Sequence, residues 1–376
     1  MSVFMRGQKS LKQMVLDDWF SLTAQQIKKF HPEIDVECWC PERSYKKEKM
    51  FSNSGIKYRQ FPTTFSLMYG LDLSIEMLKA LKKEARKAEK DKIKLVMHIH
   101  EYHNLHGLML ATFFKNQKII AQHHGGSWPW KHVRQTKRYK LFLPLFLLAQ
   151  IWESLVIKNI RCFFALSQEE IDYLKRFAHN SRIKFQTMGI EDEYFEPMKK
   201  SIARKKLGLP LNKKIILFLG RINNVKGVRY LLDAMENLED VGLKLIGWGD
   251  LDEFQSYAKE KKLKNVEFLG PIFGEKKLVY LSASDALVLP SSKEGAPVTV
   301  MEALARNLPV VASRVGGVAL MIKNGENGLI IKPKSSEEIV KAVRKILTWE
   351  NRDVRKYAER YRWKKIVEET VKEYAR

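Results

Sequence analysis

The sequence predicts an α/β protein built of two doubly wound parallel-sheet domains. Three observations predict this. Apolar runs of strand length alternate with helical segments along most of the chain. Several of those runs end in a glycine-, proline- or histidine-containing loop placed directly before a helix, which is the connection a parallel sheet needs. At 376 residues the chain also exceeds one ordinary core, and a charged stretch with Pro210 and no clear strand, 198–213, falls near its middle. The boundaries that follow are 1–197 and 198–355, with a terminal helix, 356–376, packed back on the first domain.

In order, residues 2–5 read as a short first strand. Residues 16–30 have helical spacing and are stopped by His31-Pro32. Strands follow at 34–40 and 57–61, then a charged helix over 74–90 whose basic face is solvated. Residues 94–99 form a buried strand that carries His98 and runs on to His100 and His103. A helix over 105–114 precedes a strand at 118–122, which ends in His123-His124-Gly125-Gly126. Residues 139–158 read as a long apolar helix buried in its domain. A strand at 161–166 leads to Ser167, a cap for the helix from Gln168, and 183–187 is the next strand.

In the second half, the buried strand 214–219 runs into Gly220-Arg221. Helix 227–238, strand 243–246 (ending in Gly247-Trp248-Gly249), helix 253–262, strand 266–269 and helix 276–282 follow. Residues 286–289 are apolar and closed by Pro290. A polar loop, a helix over 298–306 and a strand at 310–312 come next. The amphipathic helix 337–348 and the charged segment 351–376 complete the chain.

Composition narrows the function. Lys and Arg number 67 against 43 Asp and Glu, a formal net charge of +24. Such an excess suits polyanionic partners, and a general surface bias of the source would produce the same number. Three cysteines, Cys38, Cys40 and Cys162, make no disulfide framework and fit a reducing compartment. Cys38-Trp39-Cys40 lacks a second pair, so no zinc site is expected. His98, His100 and His103 resemble a metal cluster only superficially. Residues 1–10 lack the apolar core of a secretory signal. The apolar stretch 139–157 is interrupted by Pro144, Gln150 and Glu153 and falls short of the roughly 20 residues of a membrane span. It is preceded by Lys131, His132, Arg134, Lys137, Arg138 and Lys140. That basic flank (131–140) suits an anionic membrane surface. The expectation is a cytoplasmic protein that reaches the inner face of the membrane as a peripheral one.

Two places carry chemistry. At Gly220-Arg-Ile-Asn-Asn-Val-Lys-Gly227, a glycine lets the backbone approach a ligand, while Arg221 and Lys226 bring two cations beside a helix start. An anionic diphosphate needs this arrangement. At Ser291-Ser-Lys-Glu-Gly-Ala-Pro-Val298, a strand-to-helix loop carries Glu294, with Glu302 eight residues on. Open α/β sheets bind ligands at such loops. The N–H groups of Gly295, Ala296 and Val298 open the helix, and Pro297 has none to give. The alternative is a loop cap for Glu294 and a lysine partner for Glu302.

The ordered set of Glu294-Gly-Ala-Pro, Glu302-Ala-Leu-Ala, Leu308-Pro-Val-Val-Ala312 and Gly316-Gly317 resembles the paired-glutamate region of family 4 retaining glycosyltransferases (glycosyl transferases group 1) of GT-B fold. Gly220-Arg221…Lys226-Gly227, Phe164-Ala-Leu-Ser167, Met188-Gly-Ile-Glu-Asp-Glu-Tyr-Phe195, Asn324-Gly-Glu-Asn-Gly328 and Tyr361-Arg-Trp363 resemble further pieces of the same family in the same order. The sequence departs from it at the first loop, where only Gly7 is near, at Met188 in place of an asparagine, and at Leu320 in place of a glutamate.

The resemblance implies two Rossmann-like domains with a ligand cleft between them. It implies transfer of a hexosyl group from a UDP- or GDP-sugar to a hydroxyl of a glycan or lipid-linked acceptor, with retained configuration and without cofactor or metal. In that picture Arg221 and Lys226 bind the donor diphosphate, Glu294 contacts the transferred sugar and Glu302 the ribose. Gly220, Gly295, Ala296, Pro297 and Val298 line the donor site. His124, or its neighbour His123, is the cleft histidine. Two other readings fit parts of the chain: a basic polyanion- or RNA-binding protein with a relic sugar site, and a GT-B nucleotide-sugar epimerase. No specific nucleic acid is expected.

Overall fold

The computed structural model describes residues 15–16, 18–66, 72–124, 143–350 and 352–376. The strand expected at 2–5, Gly7, Gly125, Gly126, the basic flank 131–140 and the first residues of the helix expected from 139 lie outside them. The chain divides into two compact units. Unit 1 comprises residues 1–165, 170–188 and 366–376, and unit 2 comprises 166–169 and 189–365.

In unit 1, β1 (Glu37–Glu42), β2 (Lys49–Asn53) and β3 (Ile56–Pro62) form a sheet in the order β1-β3-β2. β1 is parallel to β3 and β2 antiparallel to it. β2 was not anticipated from the sequence. It exists because Ser54 and Gly55 both take positive φ, 51° and 76°, closing a two-residue hairpin. β4 (Phe65–Ser66) and β5 (Asp72–Leu73) make a short ribbon. β6 (Val96–His100), β7 (Lys118–Gln122), β8 (Cys162–Ala165) and β9 (Arg182–Phe185) then build a fully parallel sheet in sequential order.

Helices α1 (Trp19–Phe30), α2 (Ile75–Lys90), α3 (Leu105–Phe113), α4 (Leu143–Val156) and α5 (Gln168–Phe177) accompany these strands. Their starts are chemically marked: Asp18, Ser74 and Asn104 each accept a backbone N–H of the first turn. The core gathers Ile119, Ala121 and Phe163 from the sheet with Ala111 and Leu174 from the helices.

One expectation about α4 is corrected. It is not a buried helix. Leu145, Leu147, Leu148, Ile151 and Leu155 are exposed, and the inner face holds Glu153 and a Trp152 whose indole N–H donates to Thr112. With a polar group on the packed side, the apolar side is left to solvent.

Unit 2 holds α6 (Lys200–Lys206), β10 (Lys214–Leu219), α7 (Val228–Met235), β11 (Val241–Ile246), α8 (Leu251–Glu260), β12 (Val266–Gly270), α9 (Gly274–Ala283), β13 (Ala286–Leu289), α10 (Val298–Ala305), β14 (Val310–Ser313), α11 (Val318–Met321), β15 (Gly328–Ile331), α12 (Ser336–Ile346) and the start of α13 (Trp363–Ala375). The six strands are all parallel, in the order β12-β11-β10-β13-β14-β15. Strands after β10 proceed outward to one side as far as β12. β13 then returns beside β10 and the order proceeds to the other side. The connection therefore reverses between β10 and β13, and a doubly wound sheet binds ligands at the carboxyl ends of the strands flanking that reversal.

The stretch 198–213, which has no strand, is an ordered part of unit 2. Ala203 of α6 packs on Val279 and Ala283. The Arg204 guanidinium is buried and donates to the carbonyls of Ala283, Pro210, Leu211 and Lys213 and to the Asp285 carboxylate, all within 3.1 Å. Burying that charge is offset only because each donor finds an acceptor.

Candidate active site

The two loops singled out in the sequence are those that flank the reversal in unit 2, after β10 and after β13. Three contacts lock them together. Ser292 donates its N–H to the Val225 carbonyl at 2.8 Å, and its hydroxyl to the same oxygen at 3.0 Å. Gly227 has φ 74°, and a Cβ there would lie 2.0 Å from the Pro290 carbonyl oxygen, so no other residue fits. The Lys226 ammonium donates to both carboxylate oxygens of Glu294 at 2.7 Å. Asn223 holds the turn before it by accepting the Lys226 N–H at 3.0 Å.

The Glu294 loop is held from its other side by the loop after β14. Gly316 has φ 52°, and a Cβ on it would stand 2.0 Å from the Glu294 carbonyl oxygen. The Gly317 N–H donates to the Gly295 carbonyl at 2.5 Å. The Ser291 hydroxyl adds a bond to Glu294 Oε1 at 2.6 Å. Glu294 is thus only 6% exposed, while Lys226 keeps 26% of its side chain open.

The remaining residues expected at the site fall into different surroundings. Glu302 lies on α10 and is buried. It accepts from Lys277 at 2.8 Å, the lysine pairing given above as the alternative. Burial, and then the charge of Glu302 beside it, pushes the Tyr194 hydroxyl well above the ordinary tyrosine range. Arg221 is exposed just past β10, beside Gly220, whose N–H donates to Ile246. Gly295, Ala296, Pro297 and Val298 lead into α10. The loops after β11 and β12 adjoin: the Gly247 N–H donates to Gly270 at 2.9 Å, and the exposed rings of Trp248 and Phe273 stack with centroids 6.5 Å apart. Ser291, Lys277, Tyr194 and Asn223 were not picked out in the sequence. Lys277 sits in a charged helical run, Glu275-Lys276-Lys277, where nothing local separates a buried partner from a solvated one.

His124 belongs to unit 1, in a second cluster. Glu101 follows β6 with φ 66°, a conformation sparsely populated by any residue but glycine. That turn aims its carboxylate at the His124 N–H, 2.7 Å away, and at His123, 3.5 Å away. His123 also bonds Glu170 at 3.1 Å and is the more enclosed of the pair. The His124 ring bonds His100 at 2.7 Å and stacks on it and on Trp19. His98 bonds Tyr374, and His106 accepts the Ser74 N–H at 2.9 Å. Among the described residues no group of histidines, cysteines and carboxylates is arranged to hold a metal.

Four of these histidines, His98, His100, His106 and His124, are held neutral. Burial brings His98 and His106 down to about 4. Burial, with the nearby charges of His98 and His123, brings His124 to about 3, and His100 is lowered in the same way by burial, His98 and His124.

Residues 199–363 match the family model "Glycosyl transferases group 1". A glycosyltransferase of Methanocaldococcus jannaschii, MJ1607, is 33% identical over 183 residues, covering 46% of this chain and 47% of that protein. The chain spans about half the length of such curated relatives. Among solved structures, the sucrose-phosphate synthase of Thermosynechococcus elongatus superposes with a TM-score of 0.68 at 20% identity, covering 95% of this chain and 92% of that one. HepE of Anabaena, solved with UDP, superposes at 0.66 with 16% identity over 94% and 95%.

The neutral histidines set a pH dependence. Their folded values lie below the ordinary 6.5, so the unfolded chain binds more protons once the pH falls through 6.5. Stability is fully present above 6.5 and is lost progressively toward pH 3–4. Each such histidine contributes a slope of up to about 1.4 kcal/mol per pH unit. Urea denaturation at pH 7.5, 6.5 and 5.5 should show a falling midpoint, with a shallower fall in His98→Phe. A midpoint independent of pH over this range contradicts the assignment.

The switch-point loops and the six-stranded parallel order of unit 2 are those of a GT-B fold, and the segment 199–363 is similar to the glycosyl transferases group 1 family.

Proposed function

We propose that the protein is a retaining glycosyltransferase that moves a hexosyl group from a nucleoside-diphosphate sugar to a hydroxyl of a glycan or lipid-linked saccharide, with no metal or cofactor. The observation that carries this is the Lys226–Glu294 pair at the reversal point of the unit 2 sheet. An ammonium has three donors, and two are used by Glu294. The third, with the Arg221 guanidinium, binds the diphosphate and stabilises the charge that develops on it as the glycosidic bond breaks. Glu294, fixed by Ser291 and Lys226, accepts from hydroxyls of the transferred sugar. Glu302 accepts from the ribose. His124, kept neutral, orients a hydroxyl by hydrogen bonding. HepE, solved with UDP, supports a UDP-sugar among the candidate donors.

Transfer assays across UDP- and GDP-hexoses test this. Lys226→Ala and Glu294→Gln should each lower kcat/KM by roughly a hundredfold. Glu302→Gln should act mainly on the KM for the donor. Proton NMR of the product should show the donor's anomeric configuration. Undiminished turnover in both Lys226→Ala and Glu294→Gln sinks the site, an inverted product sinks the retaining reading, and a changed sugar without transfer would favour the epimerase.

The acceptor reading extends to an anionic membrane surface. It is supported by the exposed apolar row of α4, where Leu148, Ile151 and Leu155 are 64%, 58% and 61% exposed, and by the basic residues of 131–140 just before it in the sequence. No helix among the described residues is long and apolar enough to cross a membrane. Vesicles containing phosphatidylglycerol should retain the protein at low salt, and Ile151→Glu with Leu155→Glu should release most of it. Equal recovery on neutral vesicles contradicts a role for anionic lipid.

A further inference from the structure

Unit 1 carries a second concentration of positive charge, away from the carboxyl ends of its strands. Lys94 precedes β6, Lys118 begins β7, Arg161 precedes β8 and Arg182 begins β9. All four strands are parallel and adjacent in sequential order, so these cations stand in a row along the amino-terminal edge of one sheet. With strands about 4.8 Å apart, the row is roughly 15 Å long. Backbone bonds fix its register: Arg161 N–H donates to Ile119 at 2.8 Å and Arg182 N–H to Arg161 at 3.0 Å. Together with Arg376, the four line a concavity of about 460 Å³. The Asn116 and Gln117 side chains on its wall add neutral donors.

The charge there is only partly compensated. Glu373 is fully buried and bonds Arg182 at 2.8 Å and Arg376 at 3.0 Å, but it also bonds Lys184 at 2.8 Å. Lys118 donates to the Tyr374 carbonyl at 3.0 Å and Lys94 to that of Ala375, which caps the last turn of α13 and leaves each ammonium two further donors. No carboxylate among the described residues pairs with Lys94, Lys118 or Arg161 within salt-bridge distance. Burial, and then the charges of Lys94 and Arg182, bring the Lys118 ammonium below the ordinary lysine range. Like charges gathered in a concavity raise the energy of the empty state, and an anion with several oxygens relieves it.

We propose that this concavity binds an anion carrying two or more linked phosphoryl groups, as a site separate from the donor site of unit 2. Helix capping accounts for one donor on each of two lysines. It does not account for Arg161, nor for a row that places a cation at every strand of the sheet. A flat basic face would suit any polyanion by charge alone. A concavity with guanidinium forks, ammonium groups and amides favours a compact, oxygen-rich ligand.

The site is tested in the full chain with pyrophosphate as the probe. Arg221→Ala with Lys226→Ala silences the donor site, so a failure there is read separately. Calorimetric titration of that background should still show one bound pyrophosphate. Adding Lys118→Gln and Arg161→Gln should weaken it at least tenfold. Arg161 is exposed and Lys118 half-buried beside Lys94 and Arg182, and the melting temperature of the quadruple variant should equal or exceed that of the background, because repulsion has been removed. Vesicles of phosphatidylglycerol form a second arm. Phosphatidylglycerol carries a single phosphodiester, so retention that falls with Lys118→Gln and Arg161→Gln in a protein that binds no pyrophosphate overturns the proposal in favour of a lipid surface, and pyrophosphate binding without such retention supports a free anion with linked phosphoryl groups. Titrations and retention that are both unchanged by the two substitutions overturn the proposal, as does a background protein that binds neither probe.

Discussion

The ion pair between Lys226 and Glu294 is the interaction on which the unit 2 site depends. It joins the loop after β10 to the loop after β13, the two strands between which the winding of the sheet reverses. Neither residue is placed by its own loop alone. Lys226 is set by the Asn223 cap and by the left-handed Gly227, which touches the Pro290 carbonyl. Glu294 is pressed between that turn and the Gly316-Gly317 loop. A side chain at either glycine would push the carboxylate away. The site is therefore prepared by backbone contacts between three loops, and little reorganisation remains when a ligand arrives.

A carboxylate only 6% exposed would be costly without partners. Here it has an ammonium and a hydroxyl. The same arrangement limits what it can do chemically. An acceptor already holding Lys226 and Ser291 is suited to receiving further hydroxyl bonds. It is poorly suited to taking up a proton as a general base. Glu302 follows the same logic, with Lys277 and the Tyr194 ring beside it.

Much of unit 2 was legible in the sequence because most of its strands are short, apolar and buried, and because β10 to β13 each run into a glycine or proline. Glu294, Lys226 and the glycine pair could be located by order alone. What could not be read is pairing across loops. Lys226 was expected to face a diphosphate, and nothing in the sequence shows that two of its donors go to Glu294. Ser291 and Lys277 carry no local mark. In unit 1 the hairpin strand β2 was missed because Lys49–Asn53 lacks a buried face: its residues are exposed or half-exposed. The exposed side of α4 was misjudged because a run such as Leu-Phe-Leu-Leu reads as buried by composition, and only packing shows that its inner face is the one carrying Glu153. The basic row at the sheet edge was equally hidden, since its members, Lys94 to Arg182, lie up to 88 positions apart and meet only through the fold.

The coupling between Lys226 and Glu294 is open to direct measurement by a double-mutant cycle on donor binding. Dissociation constants for the preferred nucleotide sugar would be determined calorimetrically for the wild type, Lys226→Met, Glu294→Gln and the double variant. If the pair orders the site, the two losses are not additive, and they differ from the double variant by about 1 kcal/mol or more. Losses that sum within about 0.3 kcal/mol would show that the two residues act independently, and would contradict the account.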